Sequence, residues 1–307
     1  MPRDHTWRYF LSADWAKDAR KRSVYLADRA ASSLRRCDHA AWSLGALLDH
    51  AEALSAAGPV LVGIDVALGV PRGTWDLVQA HDAWRQPTSF VDWLGRIEPD
   101  ADFFDPVRRA DAWRVDRPFF RVPAGRGGLT GFRRAMPGGL HRRNDAAAGG
   151  KPLFAISGIP GTVGSGTRAV WQELSAELRA GRRVAVWPFD GRFDDLLPGS
   201  RVVLAEAYPG LAYATALADR FPTPRLLVGK TKAPQRDAFC DALLDAPWVR
   251  EHAVDLGDVA SCRLDEDDFD AHVNATAVLR CLLTGQELCH AEHVDPVAEG
   301  GMLLAGP

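Results

Sequence analysis

The sequence predicts a mixed α/β fold, a sheet flanked by helices and interrupted by one large insertion. Three observations predict it. Val60 to Ile64 ("VLVGI") is a continuous apolar run, the kind that fills a strand covered on both faces. Two short segments near the N-terminus carry aromatic and β-branched residues and read as a hairpin. Segments with apolar residues at helical spacing, closed by glycine, alternate with these strands.

In chain order, "WRYFLSADWA" reads as the first strand, ending near Asp14. After the charged turn "KDARKR", "SVYLAD" reads as its hairpin partner. Ala41, Leu44, Leu47, Leu48, Ala51 and Leu54 share one helical face, and Gly58 stops that helix. "PVLVGIDVALGVP" is the buried strand. Residues 72–165 change character, being rich in Arg, Gly, Pro and Trp with little periodicity, and are read as a basic insertion or lid within a single domain of residues 1–307. "TRAVWQELSAELRAG" is a helix, "RRVAVWPFDG" and "SRVVLAEAYPG" are strands, and "RLLVG" is a shorter one. "PQRDAFCDALLDA" is helical, and "DEDDFDAHVNATAVLRCLLTG" is a strong helix whose first-turn acids complement its dipole.

Composition excludes several classes. The 307 residues are 47% hydrophobic and 25% charged, which is ordinary for a globular chain. The net charge of −3 gives no reason to expect a polyanion binder over the whole surface. The charge is unevenly spread, however. Arg108 to Arg143 holds ten arginines against Asp111 and Asp116, while Asp255 to Asp270 holds seven acids against Arg263. A cationic and an anionic stretch in one chain suit a polyanionic substrate over an acid-lined metal site, and they equally suit two solvated faces. No apolar run reaches the ~18 residues of a membrane span, and "MPRDHTWRYF" has no signal-peptide core. Five cysteines without CxxC spacing read as reduced thiols of a cytoplasmic protein.

Chemistry gathers on carboxylates at element ends. Asp14 ends the first strand, Asp65 follows the buried one, Glu206 closes "VVLAE", and Asp267 and Asp270 share a face of the last helix. Brought together, such acids call for a hard divalent cation, Mg²⁺ or Mn²⁺, and two ions ~4 Å apart would serve phosphodiester hydrolysis. Each acid alone has an ordinary alternative. Asp14 could pair with Lys17 or Arg22, Asp65 could cap the Gly-x-Pro turn, Glu206 could bond an arginine, and Asp267 could complement a helix end.

At this point the sequence resembles the predicted RNase H-like nucleases known as domain of unknown function 429, within the RNase H-like superfamily. The resemblance rests on "SADWA", "GIDVALGVP", "EAYPG", "GKTKAPQRDAF" and "DDFDAHVNATAV", in that order from about residue 9 to residue 284. The last helix also resembles RuvC-type resolvases, in which two aspartates three apart precede alanine, as Asp267, Asp270 and Ala271 do. The resemblance implies an RNase H-like sheet and a metal-dependent nuclease site, with Asp14, Asp65, Glu206 and Asp270 catalytic and Asp267 a further ligand. His272 and "VNATAVLR" depart from the family's usual apolar helix.

For the substrate, Lys230, Arg236, Arg133, Arg134, Arg142 and Arg143, together with Arg126, are candidate phosphate contacts on nucleic acid or another phosphodiester. Trp113, Phe119, Phe120 and Phe132 either stack bases or form the insertion's own core. "GTVGSGT" has Gly161, Gly166 and Thr167 at P-loop offsets but lacks the lysine, so it reads better as a turn before a helix. "CHAEH" has no second ligand pair for zinc. Two rivals remain: a nucleotide-binding phosphotransferase or ATPase on the same fold, and a non-catalytic nucleic-acid-binding protein.

Overall fold

A computed structural model describes residues 7–122, 129–156, 163–223 and 225–306. The chain opens with β1 (Tyr9–Asp14), β2 (Ser23–Asp28), β3 (Ser33–Arg36), α1 (Leu44–Ser55) and β4 (Val60–Ile64). Next come α2 (Arg72–Ala80), α3 (Phe90–Leu94), β5 (Phe120–Arg121), α4 (Thr130–Ala135), α5 (Arg143–Ala148), β6 (Ala155–Ile156), α6 (Gly164–Arg179) and β7 (Ala185–Val186). It closes with α7 (Phe193–Leu196), β8 (Val202–Ala207), α8 (Pro209–Ala216), α9 (Ala233–Leu244), α10 (Pro247–Glu251), α11 (Val259–Leu264), α12 (Glu266–Thr284) and β9 (Met302–Leu303). This is the mixed α/β class expected from the sequence. Among the described residues, no helix is long and apolar enough to cross a membrane.

The chain divides into two compact units, one of residues 1–65, 192–293 and 302–307, the other of residues 66–191 and 294–301. The insertion therefore reaches further than 72–165. It takes in α6 and β7 and recruits a short return segment. Long-range pairs explain that recruitment: Arg72 bonds Asp295 at 2.6 Å, and Arg143 bonds Glu299 at 3.1 Å.

In the first unit, six strands of the mixed sheet run in the order β3-β2-β1-β4-β8, with β9 beside β8. The β1–β2 and β2–β3 pairs are antiparallel, and β1–β4, β4–β8 and β8–β9 are parallel. β4 lies between two parallel partners, which is why all five of its residues are apolar or glycine and all are buried. Gly63 is required there, because a Cβ would sit 2.5 Å from the Phe10 ring. The regular strand stops at Ile64, short of the predicted end, and its last ladder bond runs from the Asp65 N–H to the Ala13 carbonyl at 2.9 Å.

Helix α12 packs on β1 and β2, and α1 on β4 and β8. From Asp268 to Leu282 every residue of α12 is buried, as expected of an enclosed helix. Asp265 caps its start by accepting from the Asp267 and Asp268 N–H groups, and Gly285 ends it at φ 70°. Asp268 accepts from Ser23 Oγ on β2 and from Arg36 Nε on β3, the latter at 2.9 Å. The acidic run thus resolves partly into caps and a clamp. The strand expected at "RLLVG" does not form; these residues are irregular, and Leu227 is 94% exposed. β3 escapes sequence reading because only Leu34 of its four residues is buried.

The second unit has an aromatic core. Trp93 and Trp171 contact each other and also contact Phe90, edge-on, and the Phe119 ring packs on Trp171 at 5.7 Å. Phe120 stacks on Phe132 at 4.0 Å. Phe119, Phe120 and Phe132 are all buried, so they are core rather than base-stacking groups. Gly164–Thr167 is the first turn of α6, not a free turn. Thr167 is buried, with its Oγ1 accepting from the Ala67 N–H at 3.4 Å. Gly161 and Arg126 lie outside the described residues.

Candidate metal centre

Asp14 and Asp65 stand at the ends of adjacent parallel strands, and the sheet register aligns them. Ala13 pairs with Ile64, so the next residues, Asp14 and Asp65, follow in step. Strand alternation puts Asp14, Ser12 and their β2 partners Ser23 and Tyr25 on one face. That face lies under α12, since Ser23 bonds Asp268 and the Tyr25 ring meets His272 at 5.2 Å. Asp270 comes down from α12 onto it. One carboxylate oxygen from each of Asp14, Asp65 and Asp270 lies within 4.8 Å of the other two. Among the described residues this is the one group of three or more His, Cys, Asp or Glu side chains spaced to hold a metal ion.

The two other acids stand apart from this trio. Glu206 pairs with Ile64, not with Asp65, so alternation turns it to the opposite face of the sheet. It is buried, and its charge still reaches Asp65. Asp267 is half-buried at the start of α12 and hydrogen-bonds Asp14. Five acids were expected to converge; three do, with Asp267 touching one of them.

The electrostatics are those of a desolvated acid cluster. Burial pushes Asp14 well above the usual carboxylate range, and the charges of Asp65 and Asp270 add to it. Asp65 is pushed up to about 7, first by burial; Lys230 opposes the rise, while Asp270 and Glu206 reinforce it. Asp270 and Asp267 are also raised, each chiefly by burial. Asp65 and Asp267 both lie within hydrogen-bond reach of Asp14, so the cluster resists ionising until a positive charge offsets the burial and the mutual repulsion.

Asp270 has both oxygens engaged. Its Oδ1 accepts from the Tyr213 hydroxyl on α8, and its Oδ2 takes an ion pair with Lys230 Nζ. Tyr213 is fixed by ring contacts with Phe239 at 5.8 Å and Phe269 at 5.8 Å. Burial, and then Asp270, push its phenol above the ordinary value, so it stays a donor. Burial pulls the Lys230 ammonium down, but Asp270, Asp14 and Asp65 outweigh it and hold the charge in place.

Two polar side chains that no motif singles out lie on the same strand and the same helix as these acids. Ser12 is two residues before Asp14 on the same strand face, and Asn274 is one helical turn after Asp270. Both are buried, and the Ser12 hydroxyl and both polar atoms of the Asn274 amide lack a hydrogen-bond partner. Such orphaned groups mark a place that a bound species or water completes. The residues suit a hard cation: three convergent carboxylates, desolvated and short of countercharge.

Among the candidate phosphate contacts, the structure separates exposed arginines from internal ones. Arg133 and Arg134 are exposed on α4 in the second unit. Arg142 is 1% exposed, its guanidinium engaged by Asp145 and by the Leu68 and Glu299 carbonyls. Arg143 pairs with Glu299. Arg236 is buried and donates to the Lys230, Arg263 and Leu264 carbonyls. Arg142 and Arg236 therefore bind their own chain instead of presenting a grip to solvent. Lys230 faces the acids. The five cysteines are free thiols, four of them buried. Compared with family models, with curated proteins and with solved structures, the chain matches none.

Proposed function

We propose that this chain is a metal-dependent nuclease of RNase H-like fold, hydrolysing a phosphodiester of nucleic acid with Mg²⁺ or Mn²⁺ at Asp14, Asp65 and Asp270. The observation that carries the reading is the convergence of these three carboxylates from two neighbouring strand ends and one buried helix. The mixed sheet, with an acid at the end of its first strand and another on its last long helix, supports the RNase H-like part.

Countercharge argues for the cation. Three ionised carboxylates beside one ammonium leave net negative charge, which repels a phosphodiester. A bound divalent ion supplies Lewis-acid polarisation of a phosphoryl oxygen and activates water. The chain's own residues do the rest. β1 and β4 hold Asp14 and Asp65 rigidly, and Tyr213 orients Asp270 by donating to its Oδ1. Asp267 stands beside Asp14 at the start of α12, its carboxyl raised chiefly by burial. Lys230 brings positive charge to developing negative charge on the phosphate.

The test incubates wild type and Asp65→Ala with single-stranded, duplex, hybrid and branched nucleic acids in Mn²⁺. Cleavage by wild type that is lost in the variant is expected. No cleavage of any substrate, together with no Mn²⁺ binding by calorimetry, sinks the proposal.

A further inference from the structure

The geometry points to Lys230 as a built-in counter-cation that restricts the acid cluster to a single divalent ion. This inference rests on the metal-centre reading above and specifies its stoichiometry.

The first argument is occupancy. Each carboxylate oxygen has two lone pairs, so Asp270 Oδ1 can accept from the Tyr213 hydroxyl and still face a cation. Asp270 is the helix carboxylate facing both strand acids, and its two oxygens are already divided between the Tyr213 hydroxyl and the Lys230 ammonium. A second ion at Oδ2 would stand against the Lys230 ammonium, and like-charge repulsion opposes it while the lysine stays. The second argument is charge. Asp14, Asp65 and Asp270 carry three negative charges when ionised, and one divalent ion plus one ammonium carries three positive. A second divalent ion would leave the trio strongly overcompensated, because Glu206 points to the other face and Asp267 sits at the rim.

The third argument is that Lys230 is held in place. Its backbone carbonyl accepts from Arg236, which is itself anchored on the Arg263 and Leu264 carbonyls at the end of α11. One residue earlier, the Gly229 N–H donates to Gln235 Oε1 at 2.5 Å. Bonds from α9 thus fasten both residues of the irregular segment that carries the ammonium to the cluster. Arg236, read from sequence as a phosphate contact, is by this account the residue that positions Lys230.

The test is stoichiometry in the full-length chain. Mn²⁺ is titrated calorimetrically into wild type and Lys230→Gln, and the Mn²⁺ electron paramagnetic resonance spectrum is recorded at saturation. Wild type is expected to bind one Mn²⁺ with an isolated-ion spectrum, and Lys230→Gln to bind two with a spin-coupled spectrum. Two coupled ions in wild type overturn the inference while leaving the metal centre standing. One ion in both proteins also overturns it. No Mn²⁺ in either overturns the metal-centre reading itself. Lys230 is partly exposed, so the variant is expected to fold; if it does not, the wild-type spectrum alone still decides between one ion and two.

Discussion

Replacing Asp65 by Asn should stabilise the metal-free protein while abolishing its response to metal. The unfolded chain releases the Asp65 proton near the ordinary value of 3.8 and the folded chain near about 7. Between those values the folded state holds more protons, so stability falls as pH rises and levels off above about 7. At about 1.4 kcal/mol per tenfold change in proton affinity, the full gap is worth about 4 kcal/mol. Asp65 is half-buried, and solvent reduces this to about 2–4 kcal/mol. At roughly 2–4 °C per kcal/mol, the variant at pH 8 should melt roughly 5–15 °C higher than wild type. The assay is thermal unfolding by circular dichroism between pH 4 and 8, with and without Mn²⁺. Wild type should lose stability up to about pH 7 and regain about 2.7 kcal/mol at Mn²⁺ a hundredfold above its dissociation constant. The variant should show a shallower pH slope and no metal shift. A variant less stable than wild type at pH 8, or an unchanged slope, refutes the claim that the acids are held together against their own repulsion.

Three further outcomes follow from the packing. Tyr213→Phe removes the donor to Asp270 Oδ1 and should cost about 1.5–3 kcal/mol of stability in urea unfolding at pH 8, with weaker Mn²⁺ binding. Gly63→Ala forces a Cβ to within 2.5 Å of the Phe10 ring and should cost about 1–3 kcal/mol, read as a lower urea midpoint. Arg133→Ala with Arg134→Ala should leave the melting temperature unchanged, since both are exposed; in nucleic-acid binding titrations it should lower the log–log salt slope by up to about 2.

The framework of the site was legible because its signals are local. An unbroken apolar run announced β4, and strand ends in an open sheet are where reactive groups gather. Helical periodicity with acids in the first turn announced α12. What failed was pairwise. Val60 and Val202 are in register, so Asp65 falls at the sixth position of its strand and Glu206 at the fifth of its own. One residue of parity sends the two acids to opposite faces, and parity is invisible until the strands are aligned. Arg142 and Arg236 looked like phosphate grips because a sequence shows charge and hides burial. Asp145 and distant carbonyls claim the first, and the carbonyls around Lys230 claim the second. Tyr213 and Asn274 sit in apolar helical stretches and matter only through what lies across from them. The reach of the insertion was underestimated for the same reason, since Arg72 finds Asp295 more than two hundred residues away.

The account depends most on a divalent ion occupying the space among Asp14, Asp65 and Asp270. Anomalous diffraction from crystals soaked in Mn²⁺ measures that directly. The account predicts one anomalous peak bounded by oxygens of those three carboxylates, with Lys230 still against Asp270. A Mn²⁺ peak elsewhere with none among the three, or a trio that stays empty at saturating Mn²⁺, would contradict it.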